Sequence, residues 1–314
     1  MDRVWTQLLR IGTIFAITAA ASLAADQPPA KNGYLGSFVC KTCHQDIAFR
    51  FYKNAHFSNM APGTKAPQST ACESCHGPGR LHVAGRGDKT KIISFPDLTP
   101  KQVVDTCLKC HESSFSRANI RRSSHTLNEV SCINCHSVHK SDTPKYLLAK
   151  TQPELCYTCH SNVRADFSMP FKHRVNEGFM SCTDCHNPHG SFAPTWRMAA
   201  RPHMVKQAFG NEEPCLKCHT EKRGPFAFEH PPVRIEGCEA CHYPHGSTNA
   251  RLLKRPVTFT LCLECHNGAS PFGLEKAGDP IPSSMHNMAD PRYRNCTNCH
   301  VRIHGSNSDP LFLR

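Results

Sequence analysis

Two short stretches of the sequence combine cysteine and histidine at a spacing that suits a bound metal or cofactor. SCTDCHNPHG occupies residues 181–190, and GCEACHYPHG occupies residues 237–246. Each has two cysteines three positions apart, a histidine directly after the second cysteine, and another histidine three positions later. Thiols and imidazoles are ligands of zinc and of haem iron, and thiols also form disulfides and redox dithiols. The remaining cysteines decide among these chemistries.

All 20 cysteines belong to one pattern, CxxCH, which occurs ten times. Two thiols three positions apart can add to the two vinyl groups of one haem, and the next residue then lies beneath the iron as its proximal ligand. Structural zinc, a thioredoxin-like dithiol and disulfides give no reason for a histidine after every second cysteine. The pattern therefore predicts ten covalently bound c-type haems. The predicted haem-bonding residues are Cys40, Cys43, Cys72, Cys75, Cys107, Cys110, Cys132, Cys135, Cys156, Cys159, Cys182, Cys185, Cys215, Cys218, Cys238, Cys241, Cys262, Cys265, Cys296 and Cys299.

The histidines divide into two sets of predicted iron ligands. The predicted proximal ligands, one in each motif, are His44, His76, His111, His136, His160, His186, His219, His242, His266 and His300. Of the other eleven histidines, ten recur in a fixed order, so that two motifs and two further histidines form a repeated unit. These predicted distal ligands are His56, His82, His125, His139, His173, His189, His230, His245, His286 and His304. His203, in RPHM, falls outside the repeat and is predicted to be an ordinary surface residue.

The second histidine of the two opening stretches is expected to serve a neighbouring haem. Three extended residues span about 10 Å, too little to carry His189 around to the opposite face of the haem bound by His186. His189 and His245 are therefore predicted to reach the irons of neighbouring haems, although the sequence does not say which iron each distal histidine takes. Since every iron can receive two imidazoles, no catalytic residue is predicted and the chain is interpreted as an electron-transfer protein. Methionine ligation is the less favoured alternative.

The composition predicts a fold built around cofactors. Only 39% of the 314 residues are hydrophobic, and 24 are proline. Residues 1–24 are predicted to be a cleaved signal peptide, with an uncleaved membrane anchor as the alternative, because the apolar run is too short to span a bilayer. Residues 25–314 are predicted to form a single decahaem domain of five two-haem units. The expected fold is a multihaem cytochrome c with little regular structure, in which helices of two or three turns and loops surround an elongated row of haems.

The charge has two possible explanations. The formal net charge of +12 is typical of nucleic-acid or anionic-surface binding. Each ferric haem with two imidazole ligands contributes about one negative charge through its propionates, so ten of them bring the total close to neutrality. No nucleic-acid motif is present. The sequence therefore predicts no nucleic-acid partner.

Beyond the haem motifs, several stretches resemble a known family. They are CHNPHGS (185–191), CHTEKRGPFAFEHPPV (218–233), CHYPHGS (241–247) and CHVRIHGSN (299–307). Together with ten CxxCH motifs, they resemble the MtrA/DmsE family of periplasmic decahaem c-type cytochromes, which includes MtoA-like and PioA-like members. PioA-like members carry a long N-terminal extension that is not found in this sequence.

The resemblance implies bis-histidine haems in a single elongated row, and periplasmic localisation in association with the outer membrane. It implies docking inside an outer-membrane β-barrel of the MtrB/MtoB/PioB type and exchange with periplasmic or inner-membrane cytochromes. An outer-face multihaem cytochrome stays open as a further partner.

The function expected from the sequence is therefore an electron conduit between periplasm and cell exterior, in extracellular metal reduction or in Fe(II) oxidation. A soluble periplasmic carrier that feeds a terminal reductase is the first alternative. A multihaem enzyme acting on a nitrogen or sulfur compound is the second. The sequence leaves open the direction of electron flow, the haem potentials and the terminal donor or acceptor.

Overall fold

The computed structural model describes residues 33–59, 71–113, 117–141, 143, 145–190, 214–267, 281 and 286–313. The predicted signal peptide at 1–24 and His203 lie outside these ranges. The chain divides into two compact units. The first comprises Met1–Thr106 and Ser137–Leu147, and the second comprises Cys107–His136 and Leu148–Arg314.

Short helices account for most of the regular structure. The α-helices of the described ranges are Ser37–Cys40, Gln45–Phe51, Ala55–Asn59, Ala71–His76, Arg80–Ala84, Pro100–His111, Ser124–Leu127, Cys132–Cys135, Glu154–Tyr157, Ser161–Asp166, Cys182–Cys185, Pro231–Ile235 and Thr258–Leu263. The 3₁₀ turns are Lys89–Lys91, Phe95–Asp97, Ile120–Arg122, Lys145–Leu147, Pro214–Lys217, Thr220–Lys222, Cys238–Ala240, Ala250–Leu252, Pro291–Arg294 and Cys296–Asn298.

Most of these helices are shorter than the two or three turns expected from the sequence. Apart from Pro100–His111, the α-helices given above have four to seven residues, which is one to two turns. The motif histidines supply one reason. His136 (φ −106°, ψ 132°) and His186 (φ −108°, ψ 146°) are extended, so each ends its helix directly after the second cysteine. The chain can then turn its next histidine toward another site.

The stretch FPDLTPKQVVDTCLKCH (95–111) predicts a short helix with Thr99 as its N-cap and Pro100 at the first helical position, ending at His111. The longest helix of the described ranges, Pro100–His111, has these bounds. The Thr99 hydroxyl accepts a hydrogen bond from the Gln102 backbone N–H at 3.3 Å, and the Gln102 side chain accepts one from the Thr99 N–H at 2.8 Å. This reciprocal capping satisfies N–H groups at the start of the helix, and Pro100 follows the cap at the first helical position. The CxxCH motif, Cys107 to His111, forms the C-terminal end of this helix.

Regular strands are absent from the part of the chain that the structure describes, in agreement with the sequence prediction. Four isolated antiparallel bridges occur there instead: His136 with Leu148, Phe171 with Ser247, Phe228 with Ser306, and His242 with Leu253. Each bridge joins a segment that contains or adjoins a predicted haem-iron ligand to another part of the same unit.

Apolar packing within the polypeptide is local. Tyr157, Phe167 and Val175 form a buried cluster in the second unit. Many large apolar side chains elsewhere are exposed, among them Phe49 at 65% and Phe179 at 73%. A chain of this length normally buries a continuous apolar core. The arrangement agrees with a fold in which cofactors supply much of the interior.

A buried carboxylate organises the start of the first unit. Glu73, in the second CxxCH motif, is 2% exposed. Its side chain accepts hydrogen bonds from the backbone N–H groups of Leu35 at 3.0 Å, Gly36 at 2.7 Å and Gly79 at 2.8 Å. Three N–H donors compensate the cost of burying the charge. Glu73 thereby fixes the segment before the first motif against the second motif.

Candidate haem-binding site

Each CxxCH motif makes one helical turn. In eight motifs the N–H of the motif histidine donates to the carbonyl of the first cysteine at 2.8–3.1 Å. The other two motifs lie at the ends of Ala71–His76 and Pro100–His111. In a helical turn, residues i, i+3 and i+4 lie on the same face. The turn therefore presents both thiols and the imidazole together, which is the arrangement that a covalent haem requires.

In the structure, the rings of motif histidines and of the other predicted ligands face each other in pairs. Among the residues that the structure describes, nine such pairs have ring centroids 5.8–6.3 Å apart. In each pair one histidine belongs to a CxxCH motif and the other to the predicted distal set. The pairs are His44–His82, His76–His139, His160–His125, His136–His189, His219–His173, His186–His245, His266–His230, His242–His304 and His300–His286.

The ring spacing fits one metal ion between each pair. A metal–imidazole bond of about 2 Å, with about 1.1 Å from the nitrogen to the ring centre, places opposed centroids about 6.2 Å apart. Rings in direct face-to-face contact would lie closer together, at roughly 4 Å. Clusters of three or more metal-ligating side chains do not occur among the described residues. The donor geometry is therefore that of two axial imidazoles, which suits a haem iron.

Backbone carbonyls fix the tautomer of several of these rings. Nδ1 of six histidines lies 2.5–3.0 Å from a carbonyl oxygen, which can only accept. Nδ1 must therefore carry the proton, which leaves the Nε2 lone pair for a metal. The six bonds are His76 to Ile93, His82 to Asp88, His125 to Pro188, His173 to Pro244, His242 to Arg251 and His300 to Leu311.

Burial keeps several of the predicted distal imidazoles neutral. Desolvation lowers the pKa of His189 to about 4 and that of His304 to about 4. The pKa values of His139, His230 and His245 are lowered for the same first reason. A neutral imidazole is the form that binds a metal. These side chains are therefore in the ligating state at neutral pH.

The CHNPHG stretch takes part in three sites. His186 faces His245, and His189 faces His136. Between them, the Pro188 carbonyl accepts the Nδ1–H of His125 at 3.0 Å, and His125 faces His160. The structure thus pairs His189 with the motif histidine of a different CxxCH turn from its own.

The CHYPHG stretch repeats this arrangement. His242 faces His304, and His245 faces His186. The Pro244 carbonyl accepts the Nδ1–H of His173 at 2.7 Å, and His173 faces His219. The two stretches that open the sequence therefore share a common role, which is to bring three histidine pairs next to one another.

Two motif histidines also form backbone bridges with a segment that follows them in the chain. Leu148 bridges His136, and Leu253 bridges His242, in each case after a turn of two residues with positive φ. The turns lie in KYLL and ARLL, at 145–148 and 250–253. Sequence reasoning missed these contacts, because backbone groups make them. The repeated Leu-Leu after a CHxxH motif is the signal that could have revealed them.

The stretches that carry the family resemblance also contact each other. Phe228 forms a bridge with Ser306, and the Ala227 N–H donates to the Asn307 side chain at 2.9 Å. Gly305 packs so closely on Phe226 that a Cβ there would lie 2.1 Å from the ring. These contacts connect the segment before His230 to the HGSN turn that contains His304.

Consecutive motifs approach one another through their thiols. The first cysteines of neighbouring motifs lie within hydrogen-bonding reach of each other in four cases: Cys40 and Cys72, Cys107 and Cys132, Cys156 and Cys182, and Cys262 and Cys296. None of the 20 cysteines is joined to another in a disulfide. Because a haem edge would attach at each of these positions, the contacts predict closely spaced cofactors.

Known proteins share this organisation. The Doubled CXXCH motif family matches residues 125–165 and 230–271, and the family of cytochrome c554 and c-prime matches residues 86–137. Multiheme cytochrome MtrA of Shewanella baltica (strain OS185) is 34% identical over 281 residues, which cover 87% of this chain and 79% of that protein. The chain belongs to the MtrA family.

Two more distant similarities accompany this match. The high-molecular-weight cytochrome c of Nitratidesulfovibrio vulgaris (strain Hildenborough) is 24% identical over 294 residues, covering 85% of this chain and 46% of that protein. Among solved structures, the undecahaem cytochrome from the S-layer of Carboxydothermus ferrireducens aligns with a TM-score of 0.30 and 18% identity. That alignment covers 67% of this chain and 54% of the other.

Membership of the MtrA family confirms the coarse predictions made from the sequence. The chain is a multihaem c-type cytochrome that binds haem through CxxCH motifs. It is an electron-transfer protein and not an enzyme with a substrate site. Helices long and apolar enough to cross a membrane are not found in the described ranges.

Proposed function

We propose that this MtrA-family chain carries ten covalent c-type haems, one on each CxxCH motif, and that each iron has two axial histidines. The proximal and distal ligands are the two sets predicted from the sequence. The nine histidine pairs at a ring spacing of 5.8–6.3 Å are the observation that supports this assignment. When bound, such haems supply reversible one-electron exchange at the iron.

The residues of the chain favour a relay over substrate chemistry. Opposed imidazoles would hold both axial positions of a haem iron bound between them and would leave no open coordination position for a substrate. The carbonyls of Pro188 and Pro244 orient the imidazoles of adjacent sites, and burial keeps His189 and His304 neutral. Histidines three residues apart, such as His186 and His189, belong to two different pairs. One short segment therefore sets the distance between neighbouring sites.

The relay is proposed to carry electrons between the periplasm and the cell exterior through an outer-membrane β-barrel partner. Resemblance to the MtrA/DmsE family supports this role, as does the 34% identity to an MtrA protein. The predominance of short helices, turns and loops gives a physical reason for a barrel. Irregular backbone can lie at membrane depth only where protein or water, and not lipid, surrounds it. Metal reduction and Fe(II) oxidation would use the same relay in opposite directions.

Mass spectrometry of the mature chain tests the haem count. We expect a mass equal to that of the polypeptide plus ten haems, because all ten motifs are complete. Magnetic circular dichroism should show low-spin iron throughout, in both oxidation states, because two imidazoles give a strong ligand field. Fewer than ten haem additions, or a high-spin signal in the resting protein, would contradict the proposed ligation.

Purification from outer membranes tests the barrel partner. We expect the affinity-tagged full-length chain to co-purify in detergent with an outer-membrane β-barrel protein. Vesicles that contain this complex should transfer electrons from enclosed reduced methyl viologen to external ferric citrate, and vesicles with the barrel alone should not. Recovery of the whole chain in the periplasmic fraction, without a barrel, would favour the soluble-carrier alternative instead.

A further inference from the structure

The nine histidine pairs differ in the angle between their ring planes. Six pairs are nearly parallel, with interplanar angles of 10–19°. Three pairs are crossed: His125–His160 at 47°, His186–His245 at 52° and His173–His219 at 62°. The two groups are separated by a gap of 28° that no described pair occupies. The difference therefore divides the sites into two classes.

The crossed pairs belong to consecutive motifs. Their motif histidines are His160, His186 and His219, which complete the fifth, sixth and seventh CxxCH motifs. The motifs before and after them contribute to parallel pairs wherever a pair is described. The crossed sites thus form one block in the middle of the motif order.

Two Pro-His-Gly turns, at 188–190 and 244–246, connect this block. The Pro188 carbonyl receives the Nδ1–H of His125, and the Pro244 carbonyl receives that of His173. The third crossed pair takes one histidine from each of the two CHxPHG stretches, His186 from the first and His245 from the second. Two crossed pairs therefore have a histidine bound to the proline carbonyl of such a turn. The histidines of the two stretches themselves occur in both classes, since His186–His245 is crossed and His136–His189 and His242–His304 are parallel.

Rigid backbone explains how these turns can hold a ring at an angle. Proline fixes φ near −65°, so its carbonyl has little freedom to follow the imidazole. The following glycines lie against the segments that carry His125 and His173. A Cβ at Gly190 would lie 3.0 Å from the Ser123 Cβ, and one at Gly246 would lie 2.0 Å from the Asp166 carbonyl oxygen. The carbonyl and the ring it binds are thus fixed by two tightly packed segments.

The CHSVH stretch provides a comparison within the same chain. Its Val138 occupies the position of the prolines, but the Val138 carbonyl accepts from the Asn54 side chain at 2.6 Å instead of from a histidine. Both of its histidines belong to parallel pairs, His136–His189 at 14° and His139–His76 at 18°. Carbonyl bonds also occur in parallel pairs, as between His242 and Arg251, but there the carbonyl lies on a segment without a histidine. Of the six rings that bond a carbonyl through Nδ1, the two bound to the proline of a Pro-His-Gly turn belong to crossed pairs, and the other four belong to parallel pairs.

We propose that the two Pro-His-Gly turns are positioning elements that impose crossed axial imidazoles on the two haem sites whose rings, His125 and His173, bond their proline carbonyls. This inference rests on the proposed bis-histidine ligation. Parallel imidazoles donate π density into the same iron d orbital, whereas crossed imidazoles donate into two different orbitals, which stabilises the ferric state less. The central sites therefore have higher reduction potentials than the parallel sites and retain electrons. They also have a more anisotropic ferric g tensor.

Electron paramagnetic resonance of the oxidised full-length cytochrome tests this directly. We expect strongly anisotropic low-spin signals equivalent to at least three haems, in addition to the rhombic signals of the parallel sites. In a potentiometric titration, the strongly anisotropic signals should disappear at higher potentials than the rhombic ones. Rhombic signals alone, or the opposite order of reduction, would overturn the inference. High-spin signals would instead overturn the ligation on which it rests.

Substitution of the prolines assigns the signals. Pro188→Ala keeps the carbonyl but frees its φ, so the intensity of one haem should move from the strongly anisotropic to the rhombic class. Pro244→Ala alone should likewise move the intensity of one haem, and the double variant should move the intensity of two haems. Val138→Ala is the matched control and should change neither class. Equal spectra for the proline variants and the wild type would refute a positioning role, and the wild-type spectrum tests the crossed geometry even if a variant does not fold.

Discussion

His189→Ala is expected to unligate the haem bound to Cys132 and Cys135, and not the haem of its own motif. The structure places His189 opposite His136 at 6.2 Å, while His186 keeps His245 opposite it at 6.0 Å. One iron should therefore become high-spin or water-bound. Magnetic circular dichroism detects the change, and a structure of the variant identifies the iron.

The loss should reduce electron transfer far more than the removal of one haem in ten suggests. Replacing a strong-field imidazole by water raises the potential of that site, and in the proposed single-file relay electrons cannot pass around that haem. A rise of about 100 mV is worth about 2.3 kcal/mol for one electron, which slows the escape of the electron by roughly fiftyfold. Stopped-flow oxidation of the reduced protein measures this step.

His245→Ala is the matched variant, because His245 holds the corresponding place in CHYPHG. It should unligate the haem bound to Cys182 and Cys185, since His245 faces His186. The two variants should thus differ in which iron changes. If His189→Ala released the iron above His186 instead, the argument that three residues are too few to reach around one haem would be wrong.

Local chemistry explains what the sequence could predict. The CxxCH spacing acts within one helical turn, and the capping of Pro100–His111 by Thr99 and Gln102 acts across three residues. Both depend on neighbours in the sequence, so their residue types identify them. The place of each histidine in the repeat predicts its ligand set. Each of the nine ring pairs in the described residues joins one histidine of each predicted set.

The pairing of particular histidines was not predictable, because distant backbone contacts decide it. His125 bonds a carbonyl 63 residues away, and His173 bonds one 71 residues away. A carbonyl is present at every residue and so leaves no signature in the sequence. The sequence repeat also suggested that each group of two motifs and four histidines supplies its own ligands. Pairs such as His160–His125 and His266–His230 instead join histidines of consecutive repeats. Interleaved ligands make the assembly of each site depend on its neighbours.

This dependence predicts that one added methyl group will disturb two haem sites. In Gly246→Ala the new Cβ would lie 2.0 Å from the carbonyl oxygen and 2.8 Å from the carbonyl carbon of Asp166. Backbone atoms cannot rotate away, so the turn at 245–247 must separate from the segment that leads to His173. The separation would break the Phe171–Ser247 bridge, with its hydrogen bonds of 2.8 and 3.2 Å, and the bond from His173 to Pro244.

Two consequences should be measurable in Gly246→Ala. The free energy of unfolding should fall by about 3 kcal/mol, from overpacking together with the loss of buried hydrogen bonds. The sites of His173–His219 and His186–His245 should both lose a ligand, so that two haems become high-spin.

Gly178→Ala is the control, because φ is +79° there and no atom lies within 4 Å of the added Cβ. It should cost only about 1 kcal/mol of backbone strain and leave every haem low-spin. If denaturant titration and magnetic circular dichroism gave the same result for both variants, the close approach of Gly246 to Asp166 would not be what holds these two sites together.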